Sequence, residues 1–412
     1  MVPKGWKPAL VSDICKLQNG RGFTPAEWDT QGLPIIRIQN LNGGSQYNYY
    51  SGVAEDEWLV HPGQMLFAWA GTKGVSFGPT IWRGEIGVLN QHIFKVFPRS
   101  GVDDNWLYYC LRHVTSRIER KAHGFKATLV HVKKSEIDNQ TISIPPIGEQ
   151  RALSAVLAAW DRAIAVIEQL AKNSELQCRA LSQQLLWGKI RMPGYGSPGT
   201  HQDTVYGTFP GDWRFPTIGE IAEETSNRNT EGRDLPVLAC SKHVGFVKSL
   251  DYFNKKIYSD DTSTYKVIPR GTFGFPSNHI EEGSIGYQDI CDAGLVSPIY
   301  CLFRADRSVC DDYLLRLLKT GHYRQIFSAT TKSSVDRRGS LRWREFSKLH
   351  VPLPPIQEQE AISRLLASAD AAAANIKKQL ENMSSQRTVL LQQLLTGRRR
   401  IAAVEPKEVA SA

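Results

Sequence analysis

The sequence predicts an α+β architecture: two compact, β-rich mixed α/β domains separated by two long helices that pair as an antiparallel coiled coil, with an internal pseudo-two-fold repeat relating the halves. Three observations predict it. A segment of about fifty residues occurs twice, each copy carries the apolar periodicity of a long helix, and the stretches outside the copies alternate short β-rich runs with Gly, Asn and Pro turns. The resulting division is a first domain at 1–148, a first helix at 149–190, a linker at 191–212, a second domain at 213–357, a second helix at 358–397 and a basic tail, expected to be disordered, at 398–412.

The repeat aligns Ile142–Met192 on Val351–Ile401 without a gap, at a constant shift of 209 positions (354 minus 145 for the first prolines). Pro145, Pro146, Ile147, Glu149 and Gln150 return as Pro354, Pro355, Ile356, Glu358 and Gln359; Asp161 returns as Asp370, and Gln183-Gln-Leu-Leu186 as Gln392-Gln-Leu-Leu395. In the first copy Leu153, Leu157, Trp160, Ile164, Ile167, Leu181 and Leu185 fall on one seam of alternating four- and three-residue steps. The second copy places Ile362, Leu366, Ile376, Leu380, Leu390 and Leu394 equivalently, interrupted only by Arg387. The paired prolines block helix from upstream, a glutamate in the first turn suits the helix dipole, and Gly188 and Gly397 suit the C-terminal ends. Each helix then spans about 39 residues, roughly 58 Å. A stripe that long exceeds what one small domain covers, so the two seams are expected to bury each other, antiparallel because a two-fold relation between the halves reverses one helix.

The remaining segments open alike, Trp6 with Val11-Ser-Asp-Ile14 and Trp213 with Ile218-Gly-Glu-Ile221, and close alike, Val132–Ile137 answering Leu341–Phe346. Their interiors do not align. Strands are expected at Pro34–Ile38, Met65–Trp69, His92–Phe97 and Ile299–Phe303, and helices at Asp104–Arg120 and Asp311–Phe327. The Gly- and Pro-rich run Met192–Gly199 marks the linker.

Composition narrows the function. Fifty Lys and Arg against 41 Asp and Glu give a net charge of +9, which favours a polyanionic partner. Seven cysteines without a C-x-x-C pair exclude a zinc ribbon and a disulfide framework, so no metal site is expected. No apolar signal core or run of eighteen apolar residues occurs, giving the expectation of a cytoplasmic chain with no membrane role. Catalytic motifs are missing too: no Asn- or Asp-Pro-Pro-Tyr, no phosphate-binding loop, and the Gly71–Gly74 run lacks the spacing for one. Glu281, Glu282 and Asp289 read as solvated acids rather than a nuclease metal site.

Domain, long helix, domain, long helix, with Pro-Pro-Ile-x-Glu-Gln opening both helices, resembles the DNA specificity subunit of type I restriction-modification enzymes over essentially the whole chain. Phe67–Gly74, Leu89–Phe94 and Val296–Tyr300 resemble pieces of its target-recognition domains. The resemblance implies a non-catalytic protein whose two recognition domains each read half of a split double-stranded DNA target, while the helices set the spacer and dock two methyltransferase subunits. Helicase-nuclease restriction subunits would join through the complex, with S-adenosylmethionine, ATP and Mg on the partners and no cofactor in this chain. A self-contained restriction or methylation enzyme, and a coiled-coil scaffold without a DNA role, are the alternatives.

Under that reading each half carries a basic run before its proline pair. Arg112, Arg117, Arg120, Lys121, Lys126, Lys133 and Lys134 form the first; Arg316, Lys319, Arg324, Lys332, Arg337, Arg338, Arg342, Arg344 and Lys348 form the second. Recurrence at the same place favours phosphate contact. Base readout needs forked or amide groups on loops, and the candidates are Lys73, Gln91 and His92 in the first domain and Asn278, His279, Arg337 and Arg338 in the second. Gln91 and His92 can equally serve to satisfy buried strand ends.

Overall fold

A computed structural model describes the chain except for residues 1, 122–128, 197–198, 254, 334–339 and 402–412 and the side chains at 332 and 333. It divides into two compact units, Met1–Gln169 with Lys377–Ala412, and Leu170–Ile376. Helices of eight or more residues are numbered α1 (Asp104–Lys121), α2 (Ile147–Leu186), α3 (Asp311–Leu318), α4 (Gly321–Ser333) and α5 (Ile356–Leu395).

In the first unit the strands Cys15–Asn19, Ile93–Pro98, Met65–Ala68 and Gly78–Ile81 form an antiparallel sheet in that order. A second sheet orders Tyr49–Tyr50, Leu33–Ile36, Gly87–Leu89 and Leu59–Val60, with the central pair parallel. Leu17, Phe67, Phe94 and Val96 of the first sheet pack with Trp106, Leu107, Leu111 and Val114 of α1, every one of them buried. Strand Lys7–Leu10 pairs with Thr141–Ile144, which brings the start of the domain to the residues just before the proline pair.

The second unit repeats this plan. Ala222–Thr225, Tyr300–Ala305, Thr272–Pro276 and Gly286–Gln288 form an antiparallel sheet whose members follow the same sequence order as in the first unit. Phe273 and Phe303 stack at 4.9 Å across neighbouring strands, and Phe346 packs on Phe275 and Phe303. The duplication therefore extends into domains whose interiors do not align. A buried sheet face constrains apolar volume and alternation, which many sequences satisfy.

Both long helices contain 40 residues. They start at Ile147 and Ile356, two residues before the expected bounds, because Pro146 and Pro355 carbonyls already accept the N–H groups of Gln150 and Gln359. In the first unit Leu153 and Leu157 share a core with Leu391, Leu394 and Leu395, and Asp161 pairs with Arg387. As α2 advances its α5 partners recede, so the pairing is antiparallel. The second unit repeats this with Leu185 and Leu186 against Ile362 and Leu366. Seam residues Leu153, Leu157, Leu185, Ile362, Leu366 and Leu394 are buried where a sheet domain adds cover. Trp160, Ile164, Ile167, Leu181, Ile376, Leu380 and Leu390 are half-buried, as expected where one helix covers only one side of another.

The Glu-Gln of the repeated motif fastens each helix to its domain. Gln150 Nε2 donates to the Pro145 and Gly101 carbonyls while its Oε1 accepts from Asp103 N; Gln359 does the same with Pro354, Ser308 and Cys310 N. Glu149 is gripped by Arg400 through contacts of 2.6 and 2.8 Å and accepts the Trp6 indole N–H at 2.9 Å. Its repeat Glu358 receives two 2.8 Å bonds from Arg191, whose other side holds Asp212. Arg191 and Arg400 are themselves related by the 209-residue shift.

Four expectations are corrected. The 191–212 segment is not a bare linker: it contains the hairpin His201–Thr204 with Gly207–Pro210, and Phe209 packs on Trp187 and Trp213. Arg387 does not merely interrupt the seam but is buried as the partner of Asp161. The helix expected at Asp311–Phe327 is two helices, α3 and α4, broken where Thr320 Oγ1 turns back onto the Leu317 carbonyl and Gly321 follows. The basic tail begins ordered, with Arg400 on Glu149; residues 402–412 lie outside those described.

Candidate nucleic-acid interface

In the first domain the chemistry-bearing loops gather around a short ladder in which Ala70–Thr72 pairs with Leu129–His131. At one end stands Trp69, its ring edge-on to His92 at 5.1 Å and to His131 at 4.8 Å. The Trp69 indole N–H donates to the Gln91 carbonyl at 3.1 Å and to Asn19 Oδ1 at 3.3 Å, which fixes the turn carrying Gln91 and His92. Gln91 is exposed and its amide lies 3.5 Å from His92 Nε2, while His92 Nδ1 is buried without a partner among the described residues. The pair therefore offers one exposed amide edge while helping to close a strand end.

At the other end of the ladder Lys73 is exposed on the turn after Thr72. Gly74 N donates to Glu119 Oε1 at 2.7 Å, tying this turn to the last turn of α1, where Arg120 and Lys121 follow. Lys73, Arg120 and Lys121 thus share one edge; Lys126 lies outside the described residues. Other members of the first basic run have structural work: Arg117 donates to the Thr141 carbonyl, Arg112 lies 3.7 Å from Asp161 and Lys134 pairs with Asp138.

In the second domain Asn278 and His279 occupy an exposed loop before the short turn Ile280–Glu282. His279 Nδ1 lies 3.2 Å from Glu282 Oε1, and the Ser277 carbonyl accepts Leu341 N at 2.8 Å. The latter contact joins the loop to Leu341; Arg337 and Arg338 belong to 334–339. Those two, and the Lys332 side chain, lie outside what is described. His279, Glu281 and Glu282 form a group whose donor atoms fall within 4.8 Å of one another; Asp289 is not in it.

Sequence reading missed Trp69 and His131, which frame the Gln91–His92 turn, and Arg21. Arg21 lies over the rings of Phe23, Tyr50 and Trp58 and pairs with Glu27 at 2.5 Å, with Nη1 buried and unpartnered among the described residues. Its position between Gly20 and Gly22 was the available signal. Burial also sets several protonation states. It lowers the His113 imidazole to about 4, helped by Arg117 and Arg120, and raises the Cys15 and Cys110 thiols to about 12, so these stay neutral. No helix of the described residues is long and apolar enough to cross a membrane.

Comparison with known proteins agrees with this architecture. Residues 3–177 match the family described as the type I restriction modification DNA specificity domain. The chain is 22% identical to the Escherichia coli type I restriction enzyme EcoBI specificity subunit, over 95% of this chain and 84% of that one. It is 21% identical to the MjaVIII specificity subunit of Methanocaldococcus jannaschii, over 97% and 94%. Among solved structures, a chain from work on assembly and conformational transition of the type I R-M system shares the fold at a TM-score of 0.59, with 16% identity over 97% of this chain and 100% of that one. The S subunit from M. genitalium shares it at 0.53, again with 16% identity, over 96% and 99%. With both halves built on one sheet order and fastened by one repeated motif, the chain is similar over nearly its whole length to type I restriction-modification DNA specificity subunits, and its residues 3–177 match that family's DNA specificity domain.

Proposed function

We propose that this chain selects the DNA target of a type I restriction-modification complex and performs no chemistry itself. Each domain reads one half of a bipartite double-stranded target, the helix pair sets the spacer, and the helices with neighbouring surfaces dock two methyltransferase subunits. Helicase-nuclease subunits join through that complex, and S-adenosylmethionine, ATP and Mg belong to those partners. One observation carries the reading: two domains with the same four-strand order are fastened to equivalent helix starts by equivalent Gln and Glu contacts, yet differ in their loop residues. A shared frame with different edges is what reading two different half-sites requires.

The test is exchange of residues 213–350 for the corresponding segment of another specificity subunit, followed by methylation sequencing of DNA treated with the assembled complex. One half of the methylated sequence should change while the other half stays. Simultaneous change of both halves would overturn the modular reading, and absence of any sequence-dependent methylation by the parent complex would overturn the DNA role itself.

A further inference from the structure

The second basic run separates into used and unused charges. Arg316 is committed to Asp312 at 2.7 Å and Asp370 at 2.6 Å. Lys319 and Arg324 make no ion pair among the described residues. They converge instead with Lys242, from the turn between strands Leu238–Ser241 and Gly245–Lys248, around a pocket of about 220 Å³ that His243, Glu282 and Gly283 complete. Gly283 has φ +89°, and a Cβ there would stand 3.2 Å from Arg324 Cδ, so this glycine keeps the wall where the arginine stem lies.

Lys319 is the unusual member. It is half-buried at the C-terminal cap of α3, and burial lowers its pKa, with no carboxylate set against it. The thiol that acts on it, Cys240, is itself pushed up to about 12 by burial and stays neutral. A cation held partly out of water without a counter-charge is stabilised by any anion that enters. The one carboxylate lining the pocket, Glu282, is engaged by His279. Asn278 and His279, the base-reading candidates, precede it in the same loop.

We propose that Lys242, Lys319 and Arg324 clamp one backbone phosphate of DNA beside the edge formed by Asn278 and His279, fixing the register of the second domain on its half-site. This rests on the specificity-subunit reading above. The clamp neutralises charge without reading sequence, so it contributes equally on target and non-target duplexes.

The test is DNA binding by the full chain assembled with its methyltransferase partner, measured against salt concentration on a target duplex and a scrambled duplex. Lys242→Gln with Arg324→Gln alters exposed side chains only, so folding is not in question. The double variant should bind both duplexes more weakly by the same factor, and its log K against log salt slope should fall by about 0.9, the value for one phosphate. Glu282→Gln should tighten both complexes, and Lys319→Met, checked by thermal melting, should reproduce the double variant. An unchanged slope overturns the clamp, as does weakening confined to the target duplex, which would make these residues base readers. Competition by inorganic phosphate without any effect of the variants on DNA binding would overturn it as well. If the parent complex binds neither duplex at any salt concentration, the specificity reading fails and the clamp with it.

Discussion

Asp161 and Asp370 are the same residue of the repeat, yet their counter-charges come from different places. Asp161 accepts from Arg387 of α5 at 2.8 and 3.2 Å and from the Tyr109 hydroxyl of α1 at 2.9 Å. In the second half the position equivalent to Arg387 is Cys178, and the position equivalent to Tyr109 is Arg316, each lying six residues after the residue whose N–H the repeated glutamine accepts, Asp103 and Cys310; Arg316 reaches Asp370 at 2.6 Å. The cation has changed elements while the carboxylate stayed. Arg387→Cys in the first half should therefore be damaging, and adding Tyr109→Arg should repair part of the damage. Breaking a buried ion pair costs about 3–5 kcal/mol, but Asp161 is a third exposed and retains Tyr109 and the more distant Arg112, which brings the loss to roughly 2 kcal/mol. For a unit of this size that is about 4–8 °C in Tm. The added arginine should return about half, because the natural Arg316–Asp370 pair is more solvent-exposed than the one it replaces. In the parent background Tyr109→Arg adds a third guanidinium group, beside Arg387 and Arg112, against one carboxylate and should destabilise. Its sign must thus reverse between backgrounds, which thermal melting of the four proteins in a double-mutant cycle measures directly. Additive effects would refute the argument that either element can supply the cation.

Two further outcomes follow from buried charge. Arg191→Ala leaves Glu358, which is fully buried, without its cation and should cost about 3 kcal/mol in urea unfolding, with Arg191→Lys losing less; a loss below about 1 kcal/mol would show that the contact does not hold the second helix start. His113 titrates at about 4 when folded, below its ordinary value of 6.5, so its neutral form supports the fold: that contribution is complete above about pH 6.5 and is lost as pH falls from there to 4. His113→Gln should flatten the acid limb of stability against pH by up to about 3 kcal/mol, and an identical acid limb in both proteins would contradict the assignment.

The long helices were legible because forty residues of period and a near-literal repeat outweigh local ambiguity. Polar pairs formed across the fold were not: Arg387 looks like a fault in a seam until Asp161 stands opposite, and residues 191–212 look like linker until Arg191 at their start closes on Glu358. The shared strand order escaped alignment because a sheet face asks only for apolar alternation. Lys73, Gln91, His92, Asn278 and His279 were visible as polar residues on loops, since loop chemistry is local. The meeting of Lys242 with Lys319 and Arg324 was not, since 77 residues separate Lys242 from Lys319 and only the fold joins them.

The second unit is one continuous stretch of chain, whereas the first takes its core from Trp6 to Leu157 and then from Leu391, Leu394 and Leu395. On the ribosome the order of completion is therefore inverted. The second unit has all its residues once Ile376 is made, while the first must wait for α5 with the faces of Leu153 and Leu157 uncovered, on the order of ten to fifty seconds after Gln169 at ordinary elongation rates. A premature stop late in the message would consequently spoil the domain encoded first and spare the one encoded second, and Arg400 closing on Glu149 is a late stitch in a domain whose core starts with Trp6.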